Sequence, residues 1–171
     1  LEAHNVQGQP LGIIDDDIGV RQLTRGELRG MRELDSCVTA GTQTHASDCM
    51  ATLLVTTKEK AAEISRRPEI DIQFVAKTNV RTYPSLMPEA PVIAVKKLLG
   101  ETGLTMADMV VVKNHNPFAV NDVIFAKELN YDWRKMNNSG CPLVWGHLQG
   151  PTLTRVVIEA LEEAVELGGG Y

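Results

Sequence analysis

The stretch that decides the fold runs Asn137-Asn138-Ser139-Gly140-Cys141-Pro142-Leu143-Val144-Trp145-Gly146-His147-Leu148-Gln149-Gly150-Pro151-Thr152. It places one histidine, His147, on a glycine-bounded turn directly ahead of an apolar pattern. Apolar residues three or four positions apart predict a helix with one buried face: Leu153, Val156, Val157, Ala160, Leu161 and Ala164. Pro151 fits the first turn of this helix, and Gly168-Gly169-Gly170 ends it.

The position of His147 just before a helix predicts an uncharged ring. The amino-terminal end of a helix is the positive end of its dipole, which disfavours an imidazolium. A neutral imidazole can accept a proton from a nucleophile or donate a hydrogen bond to an oxyanion. The alternative interpretation is a loop histidine that only fills or caps a turn.

Length and composition indicate one globular domain with a real core. The chain has 171 residues, of which 43% are hydrophobic and 23% charged. A net charge of −5 gives no basic surface for nucleic acid, and no apolar run reaches the roughly 18 residues that a membrane span needs. Three cysteines without paired spacing are typical of a reducing compartment. Leu1–His4 is too polar to begin a signal peptide, so we expect a cytoplasmic protein.

Strand and helix patterns alternate along the chain and predict an α/β fold with a mainly parallel sheet. Strand patterns end the stretch Cys49–Thr56 and fill Ile70–Ala76 and the all-apolar Met109–Val112. Helical patterns cover Thr57–Glu63, Pro91–Leu99 and the residues that follow Phe118 as far as about Leu129.

A second candidate site, Lys113–Ala119, follows the buried strand pattern and precedes a helix. It places His115 beyond the carboxyl end of a strand, where open α/β folds bind ligands. The alternative interpretation of His115 is a hydrogen-bonded loop residue without a catalytic role.

Residues 1–35 show no clean period. They contain the acidic run Asp15-Asp16-Asp17 and arginines at helical spacing: Arg21, Arg25, Arg29 and Arg32. This pattern is typical of a solvated helix face or a linker, or of the tail of an upstream domain.

Three blocks of this sequence resemble thiolases. Asn138-x-Gly140…Gly146-His147-x-x-Gly150 resembles their Asn-x-Gly…Gly-His-Pro-x-Gly signature, which carries the catalytic histidine. Leu148 stands where the family usually has proline. Residues 38–48 resemble Val-Thr-Ala-Gly-Asn-x-Ser-x-x-x-Asp, and Thr44 occupies the position of a serine near the pantetheine arm of coenzyme A (CoA).

The third block, His115–Ala119, aligns with the thiolase sequence Asn-Glu-Ala-Phe-Ala. In that family the asparagine holds a water in the oxyanion hole. Histidine at this position is closer to the His-Asp-Cys-Phe variant of the sterol-carrier-protein thiolase group. The resemblance therefore implies a catalytic role for His115 beside His147.

The resemblance runs from about Val38 to Tyr171 and implies the C-terminal half of a thiolase. Such a half is a βαβαβαββ unit that pairs with a similar N-terminal half into a five-layered αβαβα sandwich. It divides the chain into residues 1–35, a linker or the tail of an upstream or loop domain, and residues 36–171, the C-terminal domain. The implied substrate contacts are Thr44, Phe118, Ala119, Asn138 and Gly146.

The family's two catalytic cysteines match no cysteine of this chain. The nucleophile belongs to the N-terminal half, and the acid/base cysteine follows a strand start like Gly168-Gly169-Gly170-Tyr171. Cys141 matches neither position, and we interpret Cys37 and Cys49 as core residues. We therefore expect a truncated chain or one subunit of a split enzyme, inactive by itself.

The implied activity is acyl transfer between CoA thioesters: condensation to, or thiolytic cleavage of, a 3-ketoacyl-CoA such as acetoacetyl-CoA. It places the protein in fatty acid metabolism, with CoA thioesters as substrates, no separate cofactor, and a dimeric or tetrameric assembly. The alternative is a non-catalytic acyl-CoA-binding or assembly subunit. A metal site built from His45, His115 and His147 is disfavoured because no pair has the close spacing of metal ligands.

Overall fold

Helices make up most of the regular structure in the computed structural model, which describes residues 2–13, 19–35 and 37–171. The strands are β1 (Glu2–His4), β2 (Pro10–Ile13), β3 (Glu33–Asp35) and β4 (Val38–Thr39). The α-helices are α1 (Arg25–Arg29), α2 (Lys58–Ile64), α3 (Ala90–Thr102), α4 (Ala119–Leu129), α5 (Pro142–Trp145) and α6 (Thr152–Glu166). Short 3-10 turns lie at Pro84–Glu89, Met106–Asp108 and Trp133–Lys135.

The amino-terminal part contains two antiparallel strand pairs and one short helix. β1 pairs with β2, and β3 pairs with β4 across position 36. Arg25 and Arg29 lie on the exposed helix α1, so the prediction of a solvated helix face is confirmed for these two arginines. Thr24 and Glu27 cap this helix reciprocally. The acidic run 15–17 lies outside the described residues, and the division of the chain at residue 35 stays a prediction.

The predicted helices are confirmed to within a few residues. Thr57 caps α2 by accepting a hydrogen bond from the Lys60 amide at 3.3 Å. α4 ends at Leu129 as expected, and α3 ends at Gly103. α6 ends in a Schellman motif in which Gly168 is left-handed. Within the described ranges, no helix is long and apolar enough to cross a membrane.

The predicted strands are wrong as hydrogen-bonded strands. Residues 49–56 and 70–76 form no ladder in the described part of the chain. Leu54, Val55, Phe74 and Val75 are each more than 60% exposed, so among the described residues these side chains lack the packing that would hold a sheet in register. In the ranges that the structure describes, parallel pairing is limited to isolated bridges, such as the one between Val112 and Met136.

The buried core lies between α3, α4 and the extended residues 109–112. Val92 of α3, Phe125 of α4, Val112 and Met136 form one cluster, each less than 10% exposed. The apolar pattern of residues 109–112 therefore does contribute to the core, although it forms no ladder. This core anchors the loop that carries His115.

A buried ion pair attaches α6 to the start of the same loop. Lys113 Nζ lies 2.5 Å from Glu163 Oε2, and Ser139 donates to the same oxygen at 2.7 Å. Burial acts to raise the pKa of the Glu163 carboxyl, but the Lys113 and Ser139 hydrogen bonds outweigh it, so the pKa is lowered. The helix after His147 and the loop before His115 are thereby held together.

Candidate active site

His147 is fixed from two sides at the entrance to α6. Its Nδ1 lies 3.1 Å from the hydroxyl oxygen of Thr152, the first and almost fully buried residue of that helix. Its backbone amide donates to the carbonyl of His45 at 2.7 Å. Because Nδ1 is engaged, Nε2 is the ring atom left to exchange a proton with a bound substrate.

Gly146 allows the backbone to bring His147 close to the segment around His45. Its φ of +92° lies in the region that side chains rarely adopt. A β-carbon at this position would stand 2.5 Å from Cβ of Ser47 and 3.1 Å from the carbonyl oxygen of His45. Glycine is therefore required here both by conformation and by space.

The structure brings His115 against His147. The centroids of the two rings are 4.8 Å apart and their planes are tilted by 42°. Nδ1 of His115 is buried and has no hydrogen-bond partner among the described residues. Burial, and to a lesser degree repulsion from His147, hold the pKa of His115 below its ordinary value.

The lowered pKa of His115 gives a testable consequence. Replacing His147 with alanine removes the repulsion between the two rings and opens the site to water, so the pKa of His115 is expected to rise. The measurement is a pH titration of the histidine ring resonances by NMR. His4→Ala, on the exposed hairpin strand β1, is the matched control and leaves the His115 titration unchanged. If the pKa of His115 is unchanged in His147→Ala, burial and repulsion from His147 are not what lowers it.

The lowered pKa of His115 also determines how the free energy of unfolding changes with pH. The unfolded chain holds the His115 proton more tightly than the folded one, so the stability contribution is present above about pH 6.5. This contribution to stability is lost as the pH falls through the lowered pKa that His115 has in the folded protein.

A half-buried carboxylate contacts the residues on either side of His115. Asp122, in the first turn of α4, accepts hydrogen bonds from the side-chain amides of Asn114, at 3.0 Å, and of Asn116. Asn137 makes a longer contact of 3.5 Å to the same carboxylate and accepts from the Asn114 backbone amide at 2.9 Å. Burial raises the pKa of the Asp122 carboxyl, against the hydrogen bonds from Asn116 and Asn114, which act to lower it.

Thr44 joins three parts of the site. Its backbone amide donates to the carbonyl of Pro117 at 2.7 Å, next to a bridge between Gln43 and Phe118. The amide of Ala119 donates back to the carbonyl of Thr42 at 2.9 Å. The Thr44 hydroxyl donates to the carbonyl of Pro142 at the start of α5.

The predicted site residues gather on these loops with one exception. His147, Gly146, Thr44, Phe118 and Ala119 belong to segments that are hydrogen-bonded to one another, and His115 contacts His147. Asn138 instead is exposed.

Sequence reasoning missed several residues of the site. His45 has a buried Nε2 without a hydrogen-bond partner among the described residues. Asn137, directly before the predicted Asn138, also makes hydrogen bonds in the site. Asp122 and Thr152 were also missed, although each stands in the first turn of a helix that follows a catalytic candidate.

The hydrogen bonds described for His147 go to Thr152 and His45 and not to a cysteine. The prediction that Cys37 and Cys49 are core residues is wrong, because both are exposed, on segments against which little packs. Cys141 is half-buried and precedes α5, where its carbonyl accepts from the amides of Val144 and Trp145. Among the described residues, no three histidine, cysteine, aspartate or glutamate side chains are placed to hold a metal ion.

Comparison with known proteins identifies the class of this α/β domain. Residues 69–171 match the family model described as "Thiolase, C-terminal domain". The chain therefore belongs to the thiolase family, as a C-terminal domain, and the predicted α/β class is confirmed.

Its relatives are thiolases and acetyl-CoA acetyltransferases by name. The chain is 30% identical to the beta-ketoadipyl-CoA thiolase of Acinetobacter baylyi, over 96% of this chain and 42% of that protein. It is 30% identical to the acetyl-CoA acetyltransferase of Synechocystis, over 87% of this chain and 38% of that protein. The dimeric peroxisomal thiolase of Saccharomyces cerevisiae has the same fold, with a TM-score of 0.77 and 24% identity over 95% of this chain and 42% of that one. The chain thus spans about two-fifths of the length of these relatives.

Proposed function

We propose that this chain is the histidine-bearing part of an acyltransferase that moves acyl groups between CoA thioesters. In one direction two acyl-CoA molecules condense to a 3-ketoacyl-CoA and free CoA, and in the other CoA cleaves a 3-ketoacyl-CoA such as acetoacetyl-CoA. The observation that supports this most directly is the ring pair of His147 and His115, 4.8 Å apart at the entrance to a helix in a thiolase C-terminal domain.

In this proposal His147 acts first as a general base. Its Nε2 accepts the thiol proton of a cysteine that another part of the enzyme supplies, and the resulting thiolate attacks the thioester carbonyl. The acyl group is transferred to the cysteine, and the CoA thiolate leaves with the proton that His147 had accepted. The hydrogen bond of Nδ1 to Thr152 keeps the ring in the orientation that this exchange needs.

His147 and His115 then act together on the second substrate. In this step His147 is in the tautomer with its proton on Nε2, and its Nδ1 accepts from the Thr152 hydroxyl. Each imidazole then directs one N–H at the thioester carbonyl oxygen and stabilises the negative charge that develops when an α-proton is removed. The desolvation that lowers the pKa of His115 favours its neutral form, which keeps one donor and one acceptor nitrogen. A base outside this chain accepts the α-proton, and the carbanion attacks the acyl-cysteine to release the cysteine thiolate.

Substrate contacts and assembly extend the same proposal. The Thr44 hydroxyl retains lone pairs for a pantetheine amide, and Phe118, Ala119, Asn138 and Gly146 complete the CoA contacts.

The exposed apolar side chains of residues 49–56 and 70–76 offer a face for an N-terminal thiolase half to cover. We propose a cytoplasmic dimer or tetramer of such paired halves, in keeping with the dimeric yeast relative.

The test is CoA-dependent cleavage of acetoacetyl-CoA by the protein in which this chain is joined to the half that supplies the cysteine. We expect acetyl-CoA to form at a turnover of about 1–10³ per second, and no cleavage by residues 1–171 alone. Binding of acyl-CoA without turnover in the complete protein contradicts the enzyme assignment and supports the acyl-CoA-binding alternative. Cleavage by the isolated chain contradicts the proposal that the catalytic cysteine and the base for the α-proton lie outside residues 1–171.

A further inference from the structure

We propose that Asp122 positions His115, by fixing the loop backbone on both sides of that histidine. The catalytic consequence of this positioning rests on the proposed acyl transfer, but the positioning itself does not.

Asp122 accepts hydrogen bonds from the two residues that flank His115 in the sequence. Its carboxylate accepts from the side-chain amide of Asn114 on one side and from that of Asn116 on the other. Both asparagines are buried, at 5% and 1% exposure, so these hydrogen bonds are shielded from competing water. The carboxylate lies on the rigid first turn of α4, which belongs to the core cluster through Phe125.

The ring of His115 is not held by its own hydrogen bonds. Nδ1 is buried without a partner among the described residues, in contrast to Nδ1 of His147, which has Thr152. The direction of the His115 ring is therefore set by the backbone that carries it and by packing against His147. Asp122 makes no hydrogen bond to His115 in the described structure, so it acts on the histidine through the neighbouring asparagines.

The network also ties the two histidine loops to each other. Asn137 begins the stretch that leads to His147, and its side chain contacts Asp122 while accepting from the Asn114 backbone amide. Its own backbone amide donates to the carbonyl of Val112, the last core residue before the His115 loop. One carboxylate thus holds the spacing between the loop of His115 and the start of the glycine-rich stretch.

The variant to make is Asp122→Asn, which keeps the size of the side chain but removes one acceptor oxygen and adds amide protons. Its carboxamide can no longer accept from both Asn114 and Asn116, so at least one buried amide loses its partner. Asp132→Asn is the matched control, because Asp132 is exposed and its hydrogen bonds go to Arg134. Asp122→Glu keeps the charge and is a second variant should Asp122→Asn fold poorly.

The first readout is the His115 ring signal in NMR spectra of the protein with labelled histidine. We expect Asp122→Asn to shift and broaden the His115 resonances, Asp122→Glu to do so less, and Asp132→Asn to leave them unchanged. An unaltered His115 signal in folded Asp122→Asn overturns the proposal. This readout needs no turnover, so it decides the positioning role even if the acyl-transfer assignment fails.

The second readout is a double-mutant cycle on acetoacetyl-CoA cleavage by the complete enzyme. Misplacement of a catalytic group by about 1 Å can lower the rate about 10²-fold, so Asp122→Asn is expected to lower kcat by roughly that factor with little change in KM. In a His115→Ala background the same substitution is expected to cost little more, because the residue it positions is gone. Equal costs of Asp122→Asn in both backgrounds indicate a purely structural role and overturn the proposal.

Discussion

His147→Ala in the complete enzyme is expected to lower acyl-transfer turnover by about two to four orders of magnitude. The substitution removes the group that accepts the thiol proton and one of two donors to the thioester oxygen, and each such role contributes about 10²–10⁴-fold. The measurement is kcat for acetoacetyl-CoA cleavage, with His4→Ala as a control that leaves turnover unchanged.

Folding is expected to survive this substitution. Among the described residues, the side chain of His147 makes one hydrogen bond, to Thr152, and its loss costs on the order of 1 kcal/mol in the free energy of unfolding. The backbone hydrogen bond from His147 to His45 remains. Turnover near that of the wild type in a folded His147→Ala protein removes this residue from the chemistry.

Gly146→Ala is expected to destabilise the fold strongly. A left-handed φ costs an alanine about 1–2 kcal/mol, and the new methyl group would stand 2.5 Å from Cβ of Ser47. Overpacking of this kind adds about 1–3 kcal/mol. The free energy of unfolding, measured by urea denaturation, is therefore expected to fall by about 2–5 kcal/mol.

The control for this prediction stands four residues further along the same turn. A β-carbon on Gly150 meets no atom within 4 Å, so Gly150→Ala is expected to change the free energy of unfolding by less than about 1 kcal/mol. Equal destabilisation by the two substitutions contradicts the packing of Gly146 against Ser47 and His45. Because Gly146 precedes His147, its alanine variant is also expected to displace the ring and lower turnover.

The helices could be predicted because their signals are local. Thr57 caps α2 and the stripe from Leu153 to Ala164 marks α6, and each reflects contacts within a few residues. The strand patterns were less informative, because a strand needs a partner that lies elsewhere in space. Residues 70–76 have the right alternation, but the side chains of Ile72, Phe74 and Val75 remain exposed.

The histidine pair could be predicted only in part from the sequence. Each histidine has a local signal, the glycines around His147 and the strand pattern before His115, and the family resemblance links the two. The hydrogen bonds that hold them could not be predicted. Asp122 reaches Asn114 and Asn137, which lie 8 and 15 residues away, and only the folded chain brings these amides to one carboxylate.

The proton acceptor role of His147 is tested most directly by intact mass spectrometry of the complete enzyme after brief exposure to acetyl-CoA. We predict that the wild-type protein gains one acetyl group on a cysteine, and that His147→Ala gains none over the same time although it still binds acetyl-CoA. Acetylation of both proteins to the same extent, or of neither while the wild type binds acetyl-CoA, contradicts a base at His147 that activates the attacking thiol.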